Sequence, residues 1–314
     1  MRANSRALAY LGGAVLFWGT SFAVTKSAYA ALPPMMVVWL RMVVAFLVFL
    51  PLLPRVKRPD RRPGDAKFLA LVGLFLPCLY FLLEGFAIRF TTSSQAGVVA
   101  AVMPLIVAVS GWVVLRERPA PRTAVAVVVS ILGVAGLSLG GSTQAGAPNP
   151  VLGNLLELGA MFAAAGATLT ISRLSSRYDP LLITGFQMAV GSVFFAPLAL
   201  ASGPVDWAAV PPSAWVAVAY LGAACGLAAF ALYNSALRIL PAARAALTIN
   251  LVPAVALVAG WLALGETMSW LQVAACALIV GAVVYSEARP SVRMGKTEAV
   301  PAAESRCVEP GAGS

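Results

Sequence analysis

Tyr80–Leu115 reads YFLLEGFAIRFTTSSQAGVVAAVMPLIVAVSGWVVL and runs on into Arg116 and Glu117. Ala229–Leu264 reads AFALYNSALRILPAARAALTINLVPAVALVAGWLAL and runs on into Gly265 and Glu266. One offset, 253 − 104 = 149, superposes Pro104 on Pro253, Gly111-Trp112 on Gly260-Trp261, Leu115 on Leu264 and Glu117 on Glu266. It also places Arg89 on Arg238 and Gly73 on Gly222. The chain therefore carries one membrane segment twice. A weaker match with nearly the same offset, 188 − 42 = 146, precedes it in each half. It pairs Pro34 with Pro180, Met42 with Met188 and Pro51 with Pro197.

The composition matches a bilayer protein. Hydrophobic residues make up 60% and charged residues 11% of the 314, and mean hydropathy is +0.88. A soluble domain carries about 25% charged residues. The apolar stretches approach the roughly 20 residues that cross a hydrocarbon core as helix. Ten such spans are expected: Ala7–Ala28, Pro34–Leu53, Lys67–Ile88, Ser94–Leu115, Arg122–Leu139, Leu152–Arg173, Leu181–Ala201, Ser213–Leu237, Ala242–Leu264 and Trp270–Ala288. The expected fold is thus all-α and integral to the membrane. A first five-helix repeat covers 7–139, a Gly-rich join 140–151, a second repeat 152–288 and a disordered cytoplasmic tail 289–314. An odd number of spans per repeat inverts the second copy. Inverted repeats are the architecture of secondary transporters, with the solute site between the halves near the midplane.

Basic residues set the orientation. With the N-terminus inside, 19 of the 22 Lys and Arg fall in cytoplasmic segments, leaving Lys26 and Arg89 outside and Arg41 within a span. That bias satisfies the positive-inside rule and places both termini in the cytoplasm. The net charge of +10 then reports topology and attraction to the lipid surface rather than nucleic-acid binding. Glu117 closes its span between Arg116 and Arg118, whereas Glu266 closes the equivalent span in a loop without Lys or Arg. One motif is thus expected on opposite faces of the membrane. The expected location is a bacterial cytoplasmic membrane.

Cofactor and enzyme chemistry find little support. The chain has no histidine, and its cysteines, Cys78, Cys225, Cys276 and Cys307, show no metal-ligand spacing. No metal or cofactor is expected. The apolar run from Ala7 to Thr25 exceeds the usual 7–15 residues of a signal peptide, so the Ala28-Tyr29-Ala30 site is read as uncleaved. No GxxxxGK[ST] pattern is present, which leaves a solute, proton or counter-solute gradient as the energy source. An intramembrane enzyme, and a channel or lipid-handling protein, stand as the alternatives. The spans hold no histidine, aspartate or carboxylate pair resembling a catalytic constellation.

Polar groups inside the spans are the informative ones. A charge near the bilayer centre costs about 2.5–3.5 kcal/mol on insertion scales. Arg41 and Glu84 are the main intramembrane charges, roughly 10 Å and 6 Å from the outer ends of their helices at about 1.5 Å per residue. They serve either as a structural salt bridge or as a site for an anionic and a cationic part of the solute, and Glu84 and Glu157 are nearly the only candidates for proton binding. Glu157 is expected at the outer mouth of span six as an interfacial residue. Pro104 and Pro253 fall mid-span, with Asn250 one turn before Pro253. Each proline releases a carbonyl four residues earlier. Pro77 aligns with Gly226, weakening spans three and eight at one depth. These four positions are either static kinks or hinges.

Trp18-Gly19-Thr20-Ser21-Phe22, Arg41, the run from Glu84 through Ala87, Thr91, Thr92 and Pro104 to Glu117, and Tyr233-Asn234-Ser235-Ala236-Leu237 with Pro253, Gly260 and Glu266 resemble the EamA family of the drug/metabolite transporter superfamily. The resemblance extends from Ala7 to Ser286. It implies that spans one to four and six to nine surround a central cavity, with spans five and ten to one side. It also implies movement of a small organic solute, often outward, by alternating access. Trp18, Tyr80, Met103, Gln187, Tyr233, Asn234 and Asn250 are candidates to line that cavity, where aromatic walls suit an amphipathic or amino-acid-like solute, with packing or lipid-facing positions as the alternative for each. The chain departs from symmetry at Glu84, which aligns with Tyr233, and at Arg41, which aligns with Gln187. Oligomeric state is not readable from these residues.

Overall fold

A computed structural model describes residues 2–103, 105–107, 109–110, 121–139, 147–240, 245 and 251–287. All regular elements among them are helical: α1 (Arg2–Ala28), α2 (Pro34–Phe49), α3 (Asp65–Gly73), α4 (Tyr80–Phe90), α5 (Ser93–Val99), α6 (Pro121–Leu139), α7 (Pro150–Leu174), α8 (Pro180–Leu200), α9 (Pro212–Tyr220), α10 (Ala229–Leu237), α11 (Val252–Leu264) and α12 (Trp270–Glu287). Among the described residues, six helical segments are long and apolar enough to cross a bilayer: Ser5–Ala28, Pro34–Arg55, Asp65–Phe90, Pro150–Leu174, Pro180–Leu200 and Pro212–Leu237. Four shorter apolar helices accompany them. The tail 289–314 and most of the join between the repeats lie outside the described residues.

Local chemistry marks the helix starts. Proline occupies the first turn of α2, α7, α8 and α9, where its missing N–H removes no helical bond. Side chains cap three more orphan donors. Thr92 Oγ1 accepts from Gln95 N at 3.1 Å, Asn149 Oδ1 from Leu152 N at 3.1 Å and Asp179 Oδ1 from Leu181 N at 2.9 Å. Each cap satisfies a donor that the helix itself leaves open.

Two long segments are interrupted at the same place in the repeat. A π-helical turn, Leu74–Leu79, joins α3 to α4, and Leu76 there leaves helical geometry (φ −140°, ψ 110°). A second π-helical turn, Leu221–Ala228, joins α9 to α10. Pro77 lies in the first and Gly226 in the second, and 226 − 77 = 149, the repeat offset.

Packing across the repeats is reciprocal. A methyl added at Gly222 would lie 2.7 Å from Val44 Cβ, and one at Gly73 would lie 3.3 Å from Val190 Cγ1. Val44 maps on Val190 (190 − 44 = 146) and Gly73 on Gly222, so each contact is the image of the other. Likewise Gly191 abuts Met42 and Pro77, while Gly226 abuts Ala45 and Met188. When residue i meets j and the partner of j meets the partner of i, the units are related by a two-fold operation. α6 and α12 stand apart from this arrangement. They pack mainly on each other, with Gly133 and Gly136 of α6 against Ala275 and Ile279 of α12. Large apolar side chains such as Val193, Leu200, Leu262 and Trp270 face outward, as a lipid-facing surface requires.

Candidate functional site

The two-fold arrangement frames a central cavity between α1, α2, α4, α7, α10 and α11, with an empty volume of about 630 Å³ counting its open mouth. Five residue pairs related by the repeat offsets line it together. They are Trp18 and Ala164, Phe22 and Thr168, Phe81 and Phe230, Glu84 and Tyr233, and Met103 and Val252. The first two pairs differ by 146, the last three by 149.

Six aromatic side chains, Trp18, Phe22, Tyr80, Phe81, Phe230 and Tyr233, form part of the wall. The Trp18 ring lies 4.9 Å from Phe230 and 5.3 Å from Tyr233 between centroids, Phe81 lies 6.1 Å from Phe230, and Tyr80 lies 4.8 Å from Phe81. Such offset and edge-on contacts add about 0.5–1.5 kcal/mol each beyond area burial. The Trp18 indole N–H donates to the Cys225 carbonyl, in the π-helical turn, at 3.3 Å.

The charges sit together at one end. Arg41 Nη1 on α2 lies 3.7 Å from Glu84 Oε2 on α4, with the side chains only 3% and 6% exposed. The Tyr80 hydroxyl donates to Glu84 Oε1 at 2.5 Å, and the Arg41 guanidinium stacks 4.6 Å from the Phe81 centroid. Arg41 Nε has no hydrogen-bond partner among the described residues. Removing one member of a buried ion pair strands the other at a cost of about 3–5 kcal/mol.

The structure places Trp18, Arg41, Tyr80, Glu84, Met103 and Tyr233 in the cavity wall. It places Gln187 and Asn234 off it. Gln187 is fully buried and donates from Nε2 to the Leu76 carbonyl at 3.3 Å, in the first π-helical turn. Asn234 donates to Thr184 Oγ1 at 2.9 Å, tying α10 to α8. Pro253 lies in the first turn of α11, which starts at Val252. Pro104 and Asn250 lie outside the described residues. Glu157 is not the interfacial residue expected. It is wholly buried within α7, because close contacts at Gly153 and Gly159 seat α7 directly on α4. Reading residue types alone passed over Phe22, Phe81, Met161, Thr168 and Phe230, whose apolar or small side chains look like any lipid-facing residue. The repeat offset was the available signal, since Phe81 and Phe230 occupy equivalent positions.

Polar collars close the bundle on both sides of this cavity. On one side, the Glu266 carboxylate, just past α11, accepts from Ser93 N and Ser94 N at 2.9 Å and from their hydroxyls at 2.9 and 2.6 Å. Lys26 donates to the carbonyls of Ile88 at 2.6 Å and Thr91 at 2.5 Å. Thr91 donates to Asn154, which donates to Gln95, linking α5 with α7. On the other side, Asp65 at the start of α3 pairs with Arg177 at 2.8 Å and accepts from the Tyr178 hydroxyl at 3.2 Å. Both collars join one repeat to the other.

A duplicated helical bundle, reciprocally packed around a buried aromatic cavity, defines a multi-pass membrane protein of two-repeat type. Residues 5–139 and 151–286 each match the EamA-like transporter family, and the chain belongs to that family. Among its relatives is an uncharacterized transporter of Bacillus subtilis, YetK, 25% identical over 94% of this chain and 90% of that protein. An uncharacterized transporter of Archaeoglobus fulgidus is 26% identical over 84% and 91%. A solved crystal structure, 23% identical, matches in fold with a TM-score of 0.64 over 89% of this chain and 95% of that one.

Proposed function

We propose that the chain is a secondary transporter that moves a small organic solute, amino-acid-like or amphipathic, by alternating access, with export the working direction. The reading takes ten crossings, two inverted five-helix repeats and both termini in the cytoplasm. One observation carries it: equivalent residues of the two repeats line one central cavity, between two polar collars that each tie one repeat to the other. If one collar opens as the other holds, a solute between them meets one face at a time. A near-two-fold scaffold makes the two openings similar in free energy, which alternation needs. The aromatic wall gives such a solute apolar contact, and Arg41 and Glu84 orient its polar end.

The test is solute flux in proteoliposomes of purified protein. Saturable, trans-stimulated flux supports the reading. Ohmic conductance makes the protein a channel and chemical turnover makes it an enzyme; either refutes it. The solute is found first by thermal shift against a metabolite library, because a ligand of the folded state raises apparent stability by mass action. Arg41→Ala and Glu84→Gln are expected to abolish the shift, and Glu266→Gln to leave most of it.

A further inference from the structure

Glu157 lies one helical turn from Met161 of the cavity wall. Its neighbours on α7 fix its level. Gly153 touches Thr91 and the Ala87 carbonyl, and Gly159 touches Leu83, so Glu157 stands beside the Glu84 turn of α4. It is 0% exposed, and neither carboxylate oxygen has a hydrogen-bond partner among the described residues. The charge that acts on it is that of Glu84.

The surrounding charges do not balance. Glu84 and Tyr80 on α4 and Tyr29 after α1 lie close enough to Glu157 to interact with its charge, and Arg41 on α2 lies across Glu84. Lys26 on α1 donates to the Ile88 and Thr91 carbonyls. The described part of α5 has no titratable side chain, α6 has only Arg122 in its first turn, Asp65 of α3 is committed to Arg177, and Lys67 of α3 and Arg89 of α4 are exposed on the bundle surface. Two carboxylates thus share one guanidinium. Ionised together they leave one uncompensated negative charge in a buried site, which folding tolerates poorly.

We propose that Glu84 and Glu157 form a binding site for a single proton. Glu84 has a partner on each oxygen, Tyr80 on Oε1 and Arg41 near Oε2, while Glu157 has none, so in this state the proton rests on Glu157. Glu84 lines the cavity and is the point of entry. A solute group that draws Arg41 away leaves Glu84 free to take the proton back and return it to the cavity. This use in a transport cycle rests on the function proposed above; the binding site does not.

Infrared spectroscopy of the purified protein in detergent, with no solute added, reads the site directly. The wild-type protein at neutral pH is expected to show one protonated-carboxyl stretch that shifts with isotopic labelling of glutamate. The band should disappear on alkaline titration and be lost in Glu157→Gln and in Glu84→Gln. Absence of the band from the wild-type protein overturns the proposal, and so does its persistence in Glu157→Gln. The wild-type spectrum decides even if a variant fails to fold. An intact band with no solute flux would sink the transport reading alone.

Discussion

Glu266 lies within hydrogen-bond distance of four donors at once, and truncating it to alanine removes all four contacts. Two of the donors are the Ser93 and Ser94 N–H groups that open α5. Ser93 and Ser94 are 0% and 2% exposed, so water replaces the carboxylate poorly there. Loss of a capping acceptor costs about 1 kcal/mol. Loss of a negative charge at a helix N-terminus costs a further 0.3–1 kcal/mol, roughly. Each hydroxyl bond contributes about 0.5–1 kcal/mol net and is partly recovered when the serine turns to its own backbone. Glu266 is itself half-buried, so the sum is discounted to about 2–3 kcal/mol for Glu266→Ala. Glu266→Gln keeps one acceptor and loses the charge, for about 1 kcal/mol. At about 2 °C per kcal/mol, Glu266→Ala lowers the unfolding midpoint by roughly 4–6 °C and Glu266→Gln by about 2 °C. Thermal unfolding of the detergent-solubilised protein, followed by tryptophan fluorescence, makes the measurement. Gly260→Ala is the control. Its methyl would collide with Ser94 Oγ and lie 2.7 Å from Glu266 Oε2, displacing the carboxylate without removing it. A Glu266→Ala midpoint within about 1 °C of wild type, or one above that of Glu266→Gln, would refute the capping argument.

Arg41→Ala strands Glu84 and is expected to cost about 3–5 kcal/mol, whereas Arg41→Met with Glu84→Leu costs less than either single change, as thermal unfolding of the set would show. Gly222→Val is expected to destabilise more than Gly73→Val, within about 1–3 kcal/mol, because the nearest atom is Val44 Cβ at 2.7 Å against Val190 Cγ1 at 3.3 Å. Asp65→Ala and Arg177→Ala are expected to be non-additive by about 1 kcal/mol in a double-mutant cycle, reflecting their shared contact at 2.8 Å.

Much of this architecture is legible in residue order. The offsets of 149 and 146 predict which positions are equivalent, and hence that Pro77 and Gly226 weaken the same place in each repeat. Arg41 and Glu84 stand out because a charge within an apolar span is rare. Their neighbours do not. Phe81, Phe230 and Thr168 are ordinary membrane residues whose role depends on which way the helix faces, and an apolar pattern with no polar side leaves that rotation open. Gln187 and Asn234 mislead for the opposite reason. A polar group in a span need only find a partner, and theirs are a broken-helix carbonyl and a threonine hydroxyl, neither in the cavity wall.

Residue order alone decided that this chain is helical, lies in a bilayer and repeats itself, because apolar length and internal similarity are properties of one dimension. Only the packed bundle decided which faces meet. Glu157 shows the difference. Its place in the chain suggested a rim residue, but glycines at 153 and 159 let α7 close onto α4 and carry the carboxylate inside, away from water and beside a second carboxylate. Close approach of helix backbones depends on small residues on both partners and on their relative rotation, and the pairing exists only in three dimensions.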